Sequence, residues 1–512
     1  MQHSHKILIN TGASYIRIIA NAVVTLIVTK IALKALGIND FGLYNLLAGT
    51  IALLSFVNSA LLISSQRYYS IAIGKKDTLL LNKYFSASVY IHILLAIIVC
   101  GCLMAIQPIL FGGVLNIEEG KENIAKWVYD IMVVSSGLTM LSIPYSALMN
   151  AYEDIATLSF INIGSYIIRL FAAISILYCD TQLLLIYALI ILFSIFFKVG
   201  GIYIWCRIKY TVSKIKLFKF FDKKVCKEMF GFAGWNTLGS LSVLIRDEGV
   251  AVMLNVFFGT AINAAYGIAN QVNSLVLSFA ANLTTVFSPS IIQAKGAGDD
   301  KRMLFLSILS SKLSCMLSCM MALPILIFIN PILKIWLVNI PDYTPIFCTY
   351  IIFCFLIQQI YPGINRMIYA TGKIKNYQLG IFGCFTLILP ISYLLFRLGY
   401  PPQSILITMI SSQICVLILT LVTAHQNCQL KLSKFTIHSI IVPLIIFASI
   451  LHLAKFLLRD MIDSLSLIEI VFISALVMAI YIIFMSVCCL SAREKQILKP
   501  LANSILYKYI KR

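Results

Sequence analysis

Charge is what this chain has least of. Only 12% of its 512 residues are Asp, Glu, Lys or Arg, about half of what a soluble protein carries. With 60% AVILMFWYC and a mean hydropathy of +0.93, there is too little polar surface to face water. That excludes a soluble protein and leaves a polytopic membrane protein. Alternating strands of about ten residues are absent, which excludes a transmembrane barrel; the long, uniform apolar runs call for helices. There is no CxxC among the fourteen Cys, so neither a zinc ribbon nor a dithiol redox pair is signalled. Most Cys, such as Cys315, Cys319 and Cys354, lie in apolar stretches and are expected to pack as small hydrophobes. A phosphate-binding loop is missing too: Gly372-Lys373 is followed by Ile374 and lacks the upstream glycine spacing. No H-E-x-x-H or G-x-S-x-G occurs, and the six His are scattered. No enzyme activity, metal or cofactor is therefore expected.

Basic residues are present in surplus. Forty Lys and Arg face twenty Asp and Glu, a net charge of +20. In a membrane protein that surplus belongs to cytoplasmic loops, so no nucleic-acid partner is expected. At about 20 apolar residues per crossing, the sequence holds fourteen candidate spans: 8–35, 42–64, 82–111, 126–150, 157–179, 182–205, 229–258, 261–292, 303–330, 346–370, 377–398, 403–424, 437–457 and 467–490. The first is too long for a signal-peptide core and reads as a true span. With the N-terminus inside, the even-to-odd loops and both tails hold 26 of the Lys and Arg, against 7 in the opposite loops and 7 in the spans. Both termini are thus expected to be cytoplasmic, and twelve spans would satisfy parity equally well.

An internal duplication shows at an offset of 222 residues. It matches Gly37 with Gly259, Tyr44 with Tyr266, Leu53 with Leu275, Leu61 with Leu283, Ala72 with Ala294, Gly74 with Gly296 and Asp77 with Asp299. Pro144 and Ala151 similarly resemble Pro362 and Ala370. The expected fold is an all-α polytopic membrane protein of about fourteen transmembrane helices. Two six-helix bundles are related by a pseudo-two-fold axis along the membrane normal, with two extra C-terminal helices, and face a central cavity suited to alternating access. The corresponding segments are 1–205, a basic cytoplasmic linker 206–228, 229–424, and 425–512 with the basic tail.

Charges inside spans are costly and so point to function. Arg17 lies about 14 Å along the first span and Arg169 about 18 Å along the fifth, both near mid-membrane. They are expected to line the cavity. Arg246 and Arg366 join them as candidate substrate-binding residues, although Arg366, Lys198 and Lys30 sit near span ends, where snorkelling is the plainer account. Lys312 is intermediate. A guanidinium fork suits phosphate oxygens. The first six spans contain no mid-membrane acid, which argues against a cationic cargo. Asp247 and Glu248, beside Arg246 in the seventh span, are candidate ion-coupling residues or members of an ion-pair lock. One of the two acids is expected to pair with a base on another span. The repeat places Val24 and Thr25 opposite Arg246 and Asp247. Tyr15, Tyr166, Tyr266, Asn21, Asn162, Asn236 and Gln271 are candidates for sugar hydroxyls or for interhelical bonding, and Tyr68-Tyr69 and Trp127 for the interfacial aromatic belt.

Several short motifs carry a family likeness: Ile9-Asn10-Thr11-Gly12, the turn Leu36-Gly37-Ile38-Asn39-Asp40-Phe41-Gly42-Leu43-Tyr44, the loop Gly74-Lys75-Lys76-Asp77, Phe230-Gly231-Phe232-Ala233, and Ala265-Tyr266-Gly267-Ile268-Ala269. With the span count and spacing, the chain resembles bacterial polysaccharide flippases of the O-antigen and capsule type. These belong to the multidrug/oligosaccharidyl-lipid/polysaccharide exporter superfamily. The resemblance implies a secondary transporter in the bacterial inner membrane. It would move a polyprenyl-diphosphate-linked oligosaccharide from the cytoplasmic to the periplasmic leaflet, with membrane lipids and other polysaccharide assembly proteins as partners. A drug or cation antiporter, or a lipid II flippase, of the same superfamily is the alternative. A membrane polysaccharide polymerase ranks lower, because the largest outer connection, about 111–125, is too small to hold a catalytic site.

Overall fold

The computed structural model describes every residue except 1, 53–54, 115–119, 180–181, 215–219, 221, 338–339, 460, 463–464, 492–493 and 496–512. The described residues form helices and no strand. In chain order the helices are α1 (Gln2–Ala52), α2 (Ser55–Gly74), α3 (Thr78–Ile109), α4 (Glu122–Ala151), α5 (Ile155–Ser175), α6 (Leu183–Lys209), α7 (Lys223–Phe258), α8 (Thr260–Gly296) and α9 (Asp300–Ile327). They continue with α10 (Ile329–Trp336), α11 (Thr344–Gln358), α12 (Pro362–Thr371), α13 (Lys375–Thr386), α14 (Ile388–Arg397), α15 (Ser404–Cys428), α16 (Leu432–Thr436), α17 (Val442–Leu457) and α18 (Leu467–Cys488).

Eleven helical segments among the described residues are long and apolar enough to cross a membrane. A twelfth arises if α11 and α12, bent by 43° at the break before Pro362, count as one span. The chain is a multi-pass membrane protein with eleven to twelve such spans among the described residues, where fourteen are expected from the sequence. Two expected spans account for the difference. The span at 42–64 includes residues 53–54 and with them the Leu53 match of the repeat, which lie outside the described residues. The span at 229–258 is fully helical within α7, but Arg246, Asp247 and Glu248, together with its polar hydroxyl and amide residues, make it too polar to count by composition.

The backbone carries the duplication. Gly37 interrupts α1 at φ 74°, ψ 175°, and Gly259 separates α7 from α8 at φ 82°, ψ −176°. That region is open essentially to glycine alone. Thirty-odd residues on, the two loops match bond for bond. The Asp77 amide donates to Ala72 O at 3.1 Å and the Asp299 amide to Ala294 O at 2.9 Å. Each carboxylate then caps the next helix, Asp77 accepting from the Leu80 amide and Asp299 from the Arg302 amide, both at 2.9 Å. Lys76 and Gly298 occupy the same left-handed position, at φ 57° and 76°.

Packing divides the chain into two compact units: Ile9–Thr237, and Met1–Leu8 with Leu238–Arg512. The first unit builds its core from α2, α3, α4 and α6. Its α4–α5 turn is latched by Asp154. One carboxylate oxygen accepts from Trp205 Nε1, Lys209 Nζ and the Tyr210 hydroxyl, each at 2.8 Å, and the other from Thr157 at 2.7 Å. Burial raises the carboxyl pKa, but these four donors outweigh it and hold Asp154 below its ordinary value. The first part of α7 is tied to α2 by Ser64 on Met229 O, Tyr68 on Glu228 O and Asn236 on Ala60 O, at 3.3, 3.2 and 3.1 Å.

Tyr68 and Tyr69 correct the aromatic-belt expectation. Both are buried: Arg67 places its guanidinium 4.7 Å from the ring centres of Tyr68 and Phe232, and Tyr69 packs on Phe85 with ring centres 6.0 Å apart. Trp127 is 64% exposed.

In the second unit α9 is central, packing on α8, α12, α17 and α18. Lys312 of α9 spends all three of its N–H bonds on the C-terminal segment: Glu494 Oε1 at 2.9 Å, Oε2 at 3.0 Å and Cys489 O at 3.0 Å. The carboxylate also accepts from the Ser491 amide at 2.8 Å. Burial raises the Glu494 pKa, but Lys312 and Ser491 hold it below its ordinary value. The pair bolts the end of α18 to α9, so Lys312 is structural.

Candidate functional site

The cations that the sequence singled out fall into two groups, those with a carboxylate partner and those without. Arg17 and Arg169 converge in the first unit. Arg17 on α1 is half-buried, and Tyr166 on α5 is in electrostatic reach of both arginines. Among the described residues Arg17 has no hydrogen-bond or ion-pair partner. Arg169, one helical turn beyond Tyr166, donates from Nη2 to Thr25 Oγ1 at 2.7 Å. Its Nε is buried with no partner among the described residues. Tyr44 and Tyr187 also lie in electrostatic reach of Arg169 and pack edge to face, ring centres 4.7 Å apart.

Tyr44 continues into a cavity of about 260 Å³, whose polar lining comes from Asn58, Ser135, Ser136 and Thr139. Asn58 Oδ1 is buried there without a partner among the described residues. The site thus offers two guanidinium groups, three tyrosines and an adjoining hydroxyl- and amide-lined hollow. Chemically it can bind an anion with bidentate donors, and polar neutral groups beside it.

The second unit treats its buried cations differently. Arg246 is only 9% exposed. Its Nε donates to Asp247 Oδ1 at 2.7 Å, and its guanidinium lies 4.7 Å from the centre of the Phe385 ring. This corrects the expected pairing of an acid with a base on another span. The long arginine side chain reaches across the 100° between neighbouring positions, so the partner is adjacent in sequence. Glu248 is exposed. Arg366 is half-buried 5.8 Å from the centre of the Tyr369 ring and, like half-buried Lys198 of the first unit, has no carboxylate partner among the described residues. Lys30 is exposed.

Of the amides and tyrosines named from sequence, Asn162 bonds its own helix at Leu158 O, Asn236 joins α7 to α2, and Tyr266 reaches Asp247 O at 3.5 Å. These three work within or between helices. Sequence reasoning missed Tyr44 and Tyr187 as neighbours of Arg169, and Thr25 as its acceptor. The offset of 222 held the signal, since it pairs Thr25 with Asp247 and Tyr44 with Tyr266. Among the described residues no group of three or more His, Cys, Asp or Glu converges to hold a metal.

No family model matches the chain. Among solved structures, a MATE protein crystallised as a proline-to-alanine mutant aligns with a TM-score of 0.72 over 85% of this chain and 97% of its own, at 13% identity. The fold is that of the MATE transporters. A Pyrococcus furiosus transporter of the MOP superfamily, described as having a binding pocket of reverse polarity that suggests a different function, aligns at 0.70 over 85% of this chain and 96% of its own, with 12% identity. A multidrug resistance MATE family transporter of the same superfamily, solved outward-facing, aligns at 0.69 over 85% and 96%, with 13% identity. The latter two are described as transporters. In sequence, the uncharacterized membrane protein EpsK of Bacillus subtilis is 22% identical over 357 residues. The chain spans 65% of the length of that curated relative, and the match covers 65% of this chain.

Proposed function

We propose that this protein is a secondary transporter that flips a polyprenyl-diphosphate-linked oligosaccharide from the cytoplasmic to the periplasmic leaflet of the bacterial inner membrane. It would work by alternating access, for surface polysaccharide of the O-antigen or capsule type. One observation carries the reading. Arg17 and Arg169 are set among tyrosines with no carboxylate to neutralise them among the described residues. A cation held in a low-dielectric setting without a counter-ion is costly. An anionic cargo supplies the missing charge, and a diphosphate offers oxygens for two guanidinium forks. The neighbouring hollow with Asn58 and Ser136 suits sugar hydroxyls. In the second unit Arg366, without a carboxylate partner among the described residues, and Arg246, whose charge Asp247 already meets, are the further proposed substrate-binding residues.

Fourteen spans in two six-helix bundles with an added C-terminal pair, divided as 1–205, 206–228, 229–424 and 425–512, with both termini cytoplasmic, belong to the same proposal. So do membrane lipids and polysaccharide assembly proteins as partners. Coupling to a proton or sodium gradient falls to Asp247 and Glu248. A cation antiporter is the second reading. The lack of a mid-membrane acid in the first six expected spans disfavours it.

The test is genetic. A deletion strain is expected to strand lipid-linked repeat units on the cytoplasmic leaflet. Arg17→Ala and Arg169→Ala are expected to reproduce this at unchanged protein level; wild-type export by both variants would overturn the reading. Asp247→Asn and Glu248→Gln are expected to change the dependence of export on the ion gradient, and unchanged dependence removes the coupling role.

A further inference from the structure

Asn10, in the short motif that opens α1, is buried and its amide is used at both ends. Its Nδ2 donates to Glu153 O at 2.8 Å, and its Oδ1 accepts from the Ala156 amide at 3.0 Å. Both partners are backbone groups of the turn between α4 and α5. Ala156 is the second residue of α5, and its amide is one of those that a helix start leaves without an intrahelical acceptor. Asp154, the residue placed to cap it, makes no side-chain bond to the helix amides. Its carboxylate is spent on Trp205, Lys209, Tyr210 and Thr157. The cap therefore comes from another helix, and α1 is clamped to a turn that Asp154 already latches.

A second bond joins the same two helices further along, from Arg169 Nη2 to Thr25 Oγ1. At 1.5 Å per residue the two connections are about 22 Å apart on α1, from Asn10 to Thr25, and about 20 Å apart on α5, from Ala156 to Arg169. The helices therefore run parallel and in register, with Arg17 and Tyr166 between the connections. Arg17 follows Asn10 by seven residues, nearly two turns, and lies over it on the same face. That face also holds Ala13, Ser14, Val24 and Val28, all buried, whereas Ile9, Ile16, Ile19 and Val23 are about half exposed. Turning α1 by one residue position, about 100°, carries Arg17 toward the exposed side and away from Tyr166. An asparagine amide has only two side-chain torsions with which to meet a donor and an acceptor at once, so the clamp fixes both the height and the rotation of α1.

We infer that Asn10 is a positioning residue for the arginine site. By setting α1 against α5, it holds the Arg17 guanidinium where a phosphate group bound by Arg169 is within its reach. The inference rests on the flippase reading and deepens it by adding a residue that does not touch the cargo. It also gives a role to the Asn of Ile9-Asn10-Thr11-Gly12, which the family likeness left without one.

The test measures binding of a polyprenyl diphosphate to the full-length protein in phosphatidylcholine nanodiscs, with thermal unfolding followed in parallel. Asn10→Ala is expected to weaken affinity about tenfold. Tyr129→Phe removes another buried bond of the same unit, from the Tyr129 hydroxyl to Leu103 O at 2.9 Å. It is expected to lower the unfolding temperature and leave affinity unchanged. Arg17→Ala is expected to weaken affinity about thirtyfold, and adding Asn10→Ala to it less than about twofold more, because the clamp acts through Arg17. Asn10→Asp keeps the acceptor for the Ala156 amide, covers the case in which Asn10→Ala does not fold, and is expected to lose about threefold. Wild-type affinity in the folded Asn10 variants, an equal loss in Tyr129→Phe, or fully additive losses in the double variant overturns the clamp. If Arg17→Ala and Arg169→Ala weaken affinity in that case, the clamp alone has failed. If both bind as the wild type does, the reading beneath it has failed.

Discussion

At matched positions of the internal repeat, each unit offers an acceptor to a guanidinium near a matched tyrosine. In the first unit the acceptor is Thr25, the arginine is Arg169, and the tyrosine is Tyr44. In the second the acceptor is Asp247, the arginine is Arg246, and the tyrosine is Tyr266. Thr25 satisfies one N–H and leaves the charge in place. Asp247 cancels it. Lys312 repeats the second pattern with Glu494. The lesson is that a buried cation is not by itself a binding group. What matters is whether the fold has already supplied its anion.

That contrast is sharpest in stability. Lys312→Met strands the Glu494 carboxylate, 6% exposed, and is expected to cost about 3–5 kcal/mol. Arg17→Met strands nothing and is expected to leave thermal unfolding in detergent unchanged or slightly raised; an equal loss in both variants would erase the distinction. A smaller effect is expected at the hinge of each repeat. Gly37→Ala and Gly259→Ala force a side chain into a backbone region reserved for glycine, at about 1–3 kcal/mol each. Similar denaturation midpoints for the two variants would support the equivalence, and a loss at only one would break it. Exchanging the acceptors gives changes no larger than these. Thr25→Asp is expected to neutralise Arg169 and cut glycan export about tenfold without lowering stability. Asp247→Thr leaves the Arg246 side chain, 11% exposed, with a neutral hydroxyl in place of its carboxylate and is expected to cost about 1.5–3 kcal/mol. Export untouched by Thr25→Asp would show that the charge on Arg169 is not what the cargo reads.

Much of this was legible from residues. Gly37 and Gly259 match in sequence because a backbone that only glycine can adopt leaves one possible letter. Asp77 and Asp299 matched for a similar reason, as each caps a helix after an identical turn. The span count was less legible. Arg246, Asp247 and Glu248 dilute the hydropathy of a helix that is nonetheless continuous. Arg17 and Arg169 stood out because charge is rare in apolar runs. Their surroundings did not, since Tyr44 on α1 is far in sequence from Tyr166 and Tyr187 on α5 and α6. Tyr68 and Tyr69 misled because an aromatic pair beside an arginine looks the same in sequence at an interface and around a buried cation.

Composition and spacing alone determined a helical membrane protein, its duplicated turns and the rarity of its internal charges, since hydropathy and backbone strain are properties of local sequence. Only the tertiary structure decided which of those charges are already neutralised. A carboxylate one residue away, as for Arg246, or 182 residues away, as for Lys312, neutralises a cation equally well, and the Coulomb interaction depends on distance in space rather than along the chain.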